Sequence, residues 1–265
     1  DPSTGNLRWK HTPGYFLEDP VINGDTIYGI GVQGIHGSLY ALNGSDGSVI
    51  WQQPLADSGL YYSTLVIAGV LYCVGPGQSN DSLYSLYAFS LSKGDQLWRT
   101  RQSISGGESS NITFDRGMLY FSVDSHQLYA FKAQDGSLAW TRTFRATVSL
   151  FHGEMNNSVI PAANGQVYLV SQSVADASPL QVLALNSSTG ATAWSQSAPQ
   201  GANAFQVLIA GHDRLYLGAA ESLPNRSEYQ VSIFVFNTTT GKLSTSYPTP
   251  VNADSDHAKN FILTS

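Results

Sequence analysis

The sequence predicts an all-β propeller made of four-stranded antiparallel blades. Two residue markers recur along the chain with a common period, and the segments between them have the composition of short strands separated by turns. A single four-stranded meander of this size cannot bury both of its faces, whereas blades stacked around an axis bury them against one another. The repeat is therefore the observation on which the fold prediction depends.

The first marker is a glycine followed four residues later by a tryptophan. It occurs five times, and a sixth, degenerate copy has Thr245 four residues after Gly241. Successive tryptophans lie 42 to 54 residues apart. The five tryptophans are Trp9, Trp51, Trp98, Trp140 and Trp194.

The second marker is a tyrosine inside each repeat, at intervals of 44 to 48 residues. These tyrosines are Tyr28, Tyr72, Tyr120, Tyr168 and Tyr216. Because the two markers keep one period independently, the chain is predicted to be a tandem repeat of about 47 residues.

The third unit illustrates the four strands in order. Segment 111–114 is predicted as strand A and is followed by the turn 115–117. Segment 118–123 is strand B, 127–131 is strand C and 137–143 is strand D. Large apolar residues alternate with small or polar ones, and Gly, Asn and Asp separate the segments, which predicts an antiparallel meander. No stretch combines a 3.6-residue period with helix caps.

Strand C repeats a small residue between two large ones, as in Tyr40-Ala41-Leu42. The large side chains are expected to pack toward one neighbouring blade. The alanine is expected to leave room on the other face for a side chain of the next blade, namely its tryptophan.

The chain is predicted to be a single propeller domain over residues 1–265 with five complete repeats. The repeats cover approximately residues 16–54, 58–102, 108–144, 155–198 and 202–248. Partial strands are predicted at both ends, a strand D in 1–10 and a strand A in 256–265. Either these ends form a sixth, mixed blade, or the chain is a fragment of a seven- or eight-bladed propeller. An open ring would expose strand edges.

The string Leu39-Tyr40-Ala41-Leu42, then Asp46-Gly47, then Trp51 resembles the tryptophan-docking repeat of the pyrroloquinoline-quinone (PQQ)-like propeller superfamily, which is also called quinoprotein alcohol dehydrogenase-like. The pattern covers essentially the whole chain and departs from the superfamily at Thr245. The resemblance implies that the tryptophan is a structural wedge between blades. The residues predicted to dock blades are Trp9, Trp51, Trp98, Trp140 and Trp194.

In the quinoprotein dehydrogenases that the chain resembles, PQQ lies near a calcium ion and a vicinal Cys–Cys disulfide. Cys73 is the only cysteine here, so that disulfide cannot form. Cys73 lies in an apolar segment and is expected to be a buried, inert thiol. We therefore predict a non-catalytic member with no catalytic, cofactor-binding or metal-binding residues and no cofactor.

Composition excludes two classes of partner. Only 12% of residues are charged, the net charge is −6 and no basic stripe is present, so nucleic acid is not expected. No apolar run reaches the roughly 20 residues that a membrane helix needs. No membrane insertion is expected in this chain, although an anchor could lie outside it. Composition and resemblance together predict an extracytoplasmic location: secreted, cell-surface or periplasmic.

The long connections are predicted to gather on one face of the propeller, where repeat proteins commonly bind. They are the B–C segments 75–81, 171–179 and 219–229 and the D–A segments 101–109 and 144–156. A protein partner or a glycan is expected on this long-loop face.

The residues just before each strand A are expected to ring the mouth of the central channel. The candidate contacts are Asp19, Tyr61, Tyr62, Ser110, Asn157 and Asn203. A ring of polar and aromatic side chains suits a sugar or a polar peptide segment.

The spacing of the histidines and acidic residues does not indicate a metal site. His36, His152 and His257 are expected on the long-loop face as ordinary surface histidines, because no pair has ligand spacing within one element. Four acids could gather near the axis and hold calcium, but their spacing does not demand it. They are Glu18, Asp19, Glu108 and Glu154.

The sequence therefore favours a non-catalytic binding, scaffold or sensor propeller that mediates protein–protein interaction. Such a protein would resemble the propeller lipoprotein of the outer-membrane assembly machinery or the propeller sensor domains attached to bacterial kinases. A glycan-binding propeller is one alternative. A PQQ-dependent dehydrogenase is the other, and the missing cysteine pair disfavours it.

Overall fold

The structure of the chain is a computed structural model. It describes residues 3–12, 15–16, 20–33, 36–55, 62–76, 83–100, 104–105, 111–123, 126–144, 147–148, 160–172, 181–199, 202–209, 213–222 and 229–253. All the regular secondary structure in these ranges is β-strand, arranged in five antiparallel sheets that we call A to E in chain order. The described part of the chain contains no helix that is long and apolar enough to cross a bilayer.

Sheets A and B each contain five strands. In each sheet two short strands pair with the same neighbour, so the sheet is four strands wide. Sheet A contains β1 (Tyr15–Phe16), β2 (Val21–Asn23), β3 (Thr26–Gln33), β4 (His36–Asn43) and β5 (Val49–Pro54). Both β1 and β2 pair with β3. Sheet B contains β6 (Tyr62–Ile67), β7 (Val70–Pro76), β8 (Leu83–Ser90), β9 (Gln96–Arg99) and β10 (Ile104–Ser105). Here β9 and β10 both pair with β8.

The other three sheets follow the same plan. Sheet C contains β11 (Thr113–Asp115), β12 (Met118–Val123), β13 (Gln127–Lys132) and β14 (Leu138–Thr143). Sheet D contains β15 (Thr147–Val148), β16 (Ala162–Ala163), β17 (Gln166–Gln172), β18 (Gln181–Asn186) and β19 (Thr192–Ser197). Sheet E contains β20 (Ala202–Ile209), β21 (Arg214–Ser222), β22 (Tyr229–Asn237) and β23 (Leu243–Ala253). The predicted all-β fold of four-stranded antiparallel blades is confirmed.

Sheet C shows why these residues form these strands. The two central strands, β12 and β13, are buried along almost their whole length, as expected for strands covered on both faces. The outer strand β14 alternates between half-buried and exposed residues, which is the two-residue period of a strand with one wet face. Arg116 and Gly117 join β11 to β12 with φ angles of 47° and 81°, the backbone of a tight hairpin turn.

The chain divides into two compact units. The first comprises Asp1–Gly107 together with the turn Ala133–Leu138. The second comprises Glu108–Lys132 and Ala139–Ser265. Within the first unit, Ile30, Leu39 and Ala41 of sheet A belong to one apolar core with Leu71 and Phe89 of sheet B.

Within the second unit, two apolar cores are present. Tyr120 and Leu128 of sheet C share one core with Val167 and Leu169 of sheet D. The other core joins the opposite face of sheet D to sheet E, and it contains Tyr168, Val170, Val182, Leu215 and Phe234. Each core lies between successive sheets and combines alternate residues from both, which is the packing that a stack of blades requires.

Of the two partial strands predicted at the chain ends, one differs from the structure and the other is untested. The described part of the N-terminal segment, residues 3–12, forms a turn and no strand. A strand needs a ladder partner, and none is paired with this segment among the described residues. The predicted strand in 256–265 lies outside the described residues.

The alanine of strand C also has a different neighbour from the one expected. Ala41 pairs with Trp51 of its own sheet, and the same register joins Ala88 to Trp98. Directly opposed residues project to the same face of a sheet. The small residue therefore makes room for the indole of its own blade, and not for the indole of the next one.

Candidate functional site

Every tryptophan of the first marker lies over the glycine turn of the following repeat. The pairs are Trp9 over Gly47, Trp51 over Gly94, Trp98 over Gly136, Trp140 over Gly190 and Trp194 over Gly241. A Cβ atom added to Gly94 would lie 2.7 Å from Cζ3 of Trp51, and this glycine has a φ of 75°. Glycine is therefore required at this turn both for its left-handed backbone and for the space that the indole occupies.

The indole nitrogen of each tryptophan donates a hydrogen bond to a backbone carbonyl three residues before that glycine. The acceptors and distances are Gly44 at 2.9 Å, Leu91 at 2.9 Å, Ala133 at 3.1 Å, Ser187 at 2.9 Å and Thr238 at 2.7 Å. The indole N–H is the only hydrogen-bonding group of tryptophan, and it can only donate. This one bond therefore sets the position and the orientation of the ring over the turn.

The tyrosines of the second marker belong to the same unit of structure. Tyr72 and Trp98 have ring centroids 5.8 Å apart, and Tyr120 and Trp140 have theirs 6.0 Å apart. The Tyr120 hydroxyl donates to the Ser187 carbonyl at 3.1 Å, which is also the acceptor of the Trp140 indole. Burial raises the pKa of Tyr120 to about 12, against the opposing effect of this hydrogen bond.

This geometry explains the sequence motif, since glycine, tryptophan and tyrosine all meet at one turn. It supports the role that the sequence assigns to Trp9, Trp51, Trp98, Trp140 and Trp194. Their contribution to stability stays a prediction.

The predicted ring at the channel mouth lies largely outside the described residues. Asp19, Tyr61, Ser110 and Asn157 are all in segments that the structure does not describe. Tyr62 is the first residue of β6, opposite Val74, and Asn203 lies near the start of β20, opposite Ala220. The ring therefore stays a prediction.

A feature that the sequence did not reveal lies beside Tyr62. The register jumps from Tyr62 to Thr64, so Ser63 is an extra residue in β6 and forms a β-bulge. Ser63 is buried and has a φ of 50°, which is uncommon for a residue other than glycine. β20 has a corresponding irregularity, where Phe205 is the extra residue. Bulges re-aim the side chains around them, and they are common next to binding sites.

The three B–C connections that were predicted to be long leave from the same end of their sheets. In each antiparallel meander the turns that receive the indoles lie at one end, and the β7–β8, β17–β18 and β21–β22 connections lie at the opposite end. Residues 77–82, 173–180 and 223–228 of these connections lie outside the described residues. We call this end of the sheets, from which those connections leave, the long-loop end.

The candidate metal ligands are not assembled by the described residues. In the ranges that the structure describes, no group of three or more His, Cys, Asp or Glu side chains could hold a metal ion. His36 begins β4. The other candidates lie outside the described residues: His152, His257, Glu18, Asp19, Glu108 and Glu154.

Cys73 lies in β7 and is buried, as the sequence predicts. Burial raises the pKa of its thiol, because the thiolate would lose its hydration. The sulfur is therefore held in its less reactive, protonated form.

Comparison with known proteins identifies relatives of the chain. A family model described as "Outer membrane protein assembly factor BamB" matches residues 1–72 and 82–258. The protein of that name from Moranella endobia (strain PCIT) is 28% identical over 207 residues, which are 73% of this chain and 47% of the relative. The one from Yersinia pestis is 26% identical over 206 residues, which are 73% of this chain and 46% of the relative. The chain thus spans about half the length of these curated relatives.

Among solved structures, the chain is similar to quinohemoprotein alcohol dehydrogenase ADHIIG from Pseudomonas putida HK5. The TM-score is 0.53 at 14% identity, over 92% of this chain and 44% of the enzyme. At this identity the likeness shows the fold alone. With the family match, it confirms the predicted resemblance to PQQ-like propellers and the propeller fold itself.

Proposed function

This chain belongs to the family described as outer membrane protein assembly factor BamB, and from that membership we propose that it is a non-catalytic propeller that binds protein partners outside the cytoplasm. The match to the family model is the observation that carries the proposal, because it extends over nearly the whole chain. The family's name describes a factor in the assembly of outer membrane proteins, which supports protein partners for this chain.

The long-loop end is the surface that we propose for the scaffold or sensor role. Insertions in a repeat protein are tolerated where they do not disturb the packing between repeats, and they commonly build the binding face. The docking turns at the other end are occupied by indoles, as at Gly94 and Gly136. The long-loop end is free of that structural task, and the bulge after Tyr62 lies in β6, whose first residues belong to this end.

We propose that no cofactor or metal is needed for this binding and that the protein acts in an extracytoplasmic compartment. The presence of Cys73 as the only cysteine supports the first part, because the vicinal disulfide of quinoprotein dehydrogenases requires two. The names of the curated relatives, which refer to the outer membrane, support the second part.

The test is site-specific photocrosslinking in the organism that produces the protein. A photoactivatable p-benzoylphenylalanine at position 62 samples the long-loop end, and the same group at position 93, in the exposed β8–β9 turn, samples the docking end of the same sheet. We expect a covalent adduct with a discrete protein at position 62 and none at position 93. Equal adducts at both positions, or none at either, would contradict the proposal.

A further inference from the structure

Three asparagines of the chain are followed directly by glycine. Asn23 ends β2, Asn43 ends β4, and Asn164 lies in the turn between β16 and β17. An Asn–Gly pair is prone to spontaneous deamidation, because glycine has no side chain to hinder attack by its backbone nitrogen on the asparagine carboxamide. The three pairs share this chemistry, so the folded structure decides which of them reacts.

The reaction consumes water and releases ammonia. Hydroxide removes the proton from the glycine N–H, and the nitrogen then attacks Cγ of the asparagine. The new N–Cγ bond closes a succinimide ring, the Cγ–Nδ2 bond breaks, and ammonia leaves with a proton from water, which regenerates hydroxide. Water then opens the ring, giving aspartate if the new bond is cleaved and isoaspartate if the original peptide bond is cleaved. A glycine N–H that donates a hydrogen bond is protected, because that bond must first be broken.

The Asn43–Gly44 pair is restrained on both sides of the reacting bond. The Gly44 N–H donates to the Asp25 carbonyl at 2.8 Å. Oδ1 of Asn43 accepts from the backbone N–H and the hydroxyl of Ser45, at 2.8 and 2.7 Å. A Cβ atom on Gly44 would lie 2.9 Å from the same Asp25 oxygen, so this turn leaves little room for the ring to form.

The Asn164–Gly165 pair is restrained by sheet C. Asn164 is exposed, so exposure alone does not select a reactive site. The Gly165 N–H donates to Oδ2 of Asp115 at 3.1 Å, and a carboxylate is a strong acceptor. A Cβ atom on Gly165 would lie 2.9 Å from Nη1 of Arg116. The attacking nitrogen of this pair is therefore both bonded and crowded.

The Asn23–Gly24 pair lacks these restraints. Asn23, Gly24 and Asp25 are all exposed. Within the ranges that the structure describes, neither the Gly24 N–H nor the Asn23 carboxamide makes a hydrogen bond, and a Cβ atom on Gly24 would meet nothing within 4 Å. β2 is only three residues long and its middle residue, Ile22, is 70% exposed. Few buried contacts hold this hairpin end, so it can open locally to bring the nitrogen onto Cγ.

We propose that Asn23 is a site of covalent modification, where spontaneous deamidation through a succinimide yields aspartate and isoaspartate while Asn43 and Asn164 stay intact. Water is the only co-reactant. The reaction is therefore independent of the partner binding proposed above, and its failure would leave that proposal untouched.

The modified residue would lie close to the Trp9 contact. The Asp25 carbonyl accepts from Gly44 N–H at 2.8 Å, and the Gly44 carbonyl accepts from the Trp9 indole at 2.9 Å. Isoaspartate adds a methylene to the backbone, which lengthens the turn between the paired residues Asn23 and Thr26. We expect the Nε1–H of Trp9 to exchange with solvent faster in the isoaspartate form, as measured by NMR. Unchanged exchange would contradict this effect of the modification.

The test is ageing of the folded protein in mildly alkaline buffer, followed by chymotrypsin digestion and mass spectrometry. Chymotrypsin cleaves after aromatic residues and leucine, so the three asparagines fall in different peptides. We expect Asn23 to deamidate at least about tenfold faster than Asn43 or Asn164, because only its turn opens at small cost. In protein unfolded by guanidinium chloride the three rates should agree within about threefold, because the protecting contacts are absent.

Asp115→Ala is the matched variant. It removes the acceptor of the Gly165 N–H, so Asn164 should deamidate at least about threefold faster while Asn23 is unaffected. An unchanged rate at Asn164 would contradict protection by this hydrogen bond. The comparison of the three sites needs no variant, so it remains decisive if Asp115→Ala fails to fold. Deamidation of Asn43 or Asn164 as fast as that of Asn23 in the folded protein would overturn the proposal. So would an Asn23 that reacts only after unfolding.

Discussion

Gly94 and Gly5 occupy the same position of the repeat, but only Gly94 lies beneath an indole. Both have left-handed φ angles, 75° and 70°, and a Cβ atom on Gly5 would meet nothing within 4 Å. We expect Gly94→Ala to lower the free energy of unfolding by about 2–5 kcal/mol, from backbone strain plus collision with Trp51. Gly5→Ala, the control, should cost about 1 kcal/mol from backbone strain alone. Urea unfolding of both variants measures the difference, and equal losses would contradict the docking role of Trp51.

Ionisation of the buried Tyr120 is expected to destabilise the folded protein at alkaline pH. Its pKa is raised from 10.0 to about 12 in the folded protein, mainly by burial. The folded state therefore holds this proton more tightly than the unfolded state does, so the stabilisation is complete below pH 10 and is lost as the pH rises toward 12. We expect the urea midpoint to fall over this range, and less steeply in Tyr120→Phe. An identical pH profile in the variant would show that Tyr120 ionises normally.

Residue types at the docking turn could be predicted from the sequence, but their exact partners could not. The recurring glycine–tryptophan pair, together with the resemblance to PQQ-like propellers, predicted that the tryptophans dock one blade on the next. The period alone could not show that Ala41 faces Trp51 of its own sheet. That relation depends on which face each strand presents, and the bulge at Ile50 shifts the register after the turn.

The hairpin turn between β6 and β7 contains a residue that is poorly suited to its backbone conformation. Ala68 and Gly69 both have left-handed φ angles, 49° and 81°, and Ala68 is exposed. The corresponding turn of sheet D has Asn164 and Gly165, the pair that such turns favour. We expect Ala68→Asn to raise the free energy of unfolding by about 0.5–1 kcal/mol, because Asn tolerates this conformation better than Ala. The reciprocal change Asn164→Ala should destabilise the protein in the same urea assay, and a gain there would contradict the explanation.

Strand positions in sheet C agree closely with the sequence analysis. Strand B was predicted over residues 118–123, which are the bounds of β12, and the other three strands differ by one or two residues. Polar turn residues and alternating apolar residues determine these limits locally. The bulges at Ser63 and Phe205 were missed, because a bulge depends on the partner strand and leaves no local signal in composition. For the candidate site, six residues at the channel mouth were predicted, and the structure describes only Tyr62 and Asn203 of them, as backbone.

Proteins that share this fold differ in function. The fold is shared with a quinohemoprotein dehydrogenase, whereas the family is that of an assembly factor. A shared fold does not carry function, since function depends on the site that a particular chain builds. The single cysteine of this chain, Cys73, supports the proposal that it is not a quinoprotein dehydrogenase.

The absence of a cofactor is a prediction about the whole molecule. We expect addition of PQQ and calcium chloride to change the melting temperature by less than about 1 °C, because a ligand stabilises only a protein that binds it in the folded state. Differential scanning fluorimetry with calcium chloride alone is the control. A rise of several degrees that requires PQQ would contradict the assignment as a non-catalytic member.

Sheets A to D are each joined to the glycine turn of the following repeat by an indole that donates a hydrogen bond to a backbone carbonyl of that turn, and Trp9 makes the same contact from the N-terminal segment. The most direct measurement is hydrogen exchange of the indole Nε1–H groups, observed by NMR in protein labelled with nitrogen-15 at tryptophan. All five groups have backbone acceptors at 2.7 to 3.1 Å. We expect five separate signals that exchange at least about 100-fold more slowly than a free indole. Five signals that exchange at the rate of free indole would contradict this expectation.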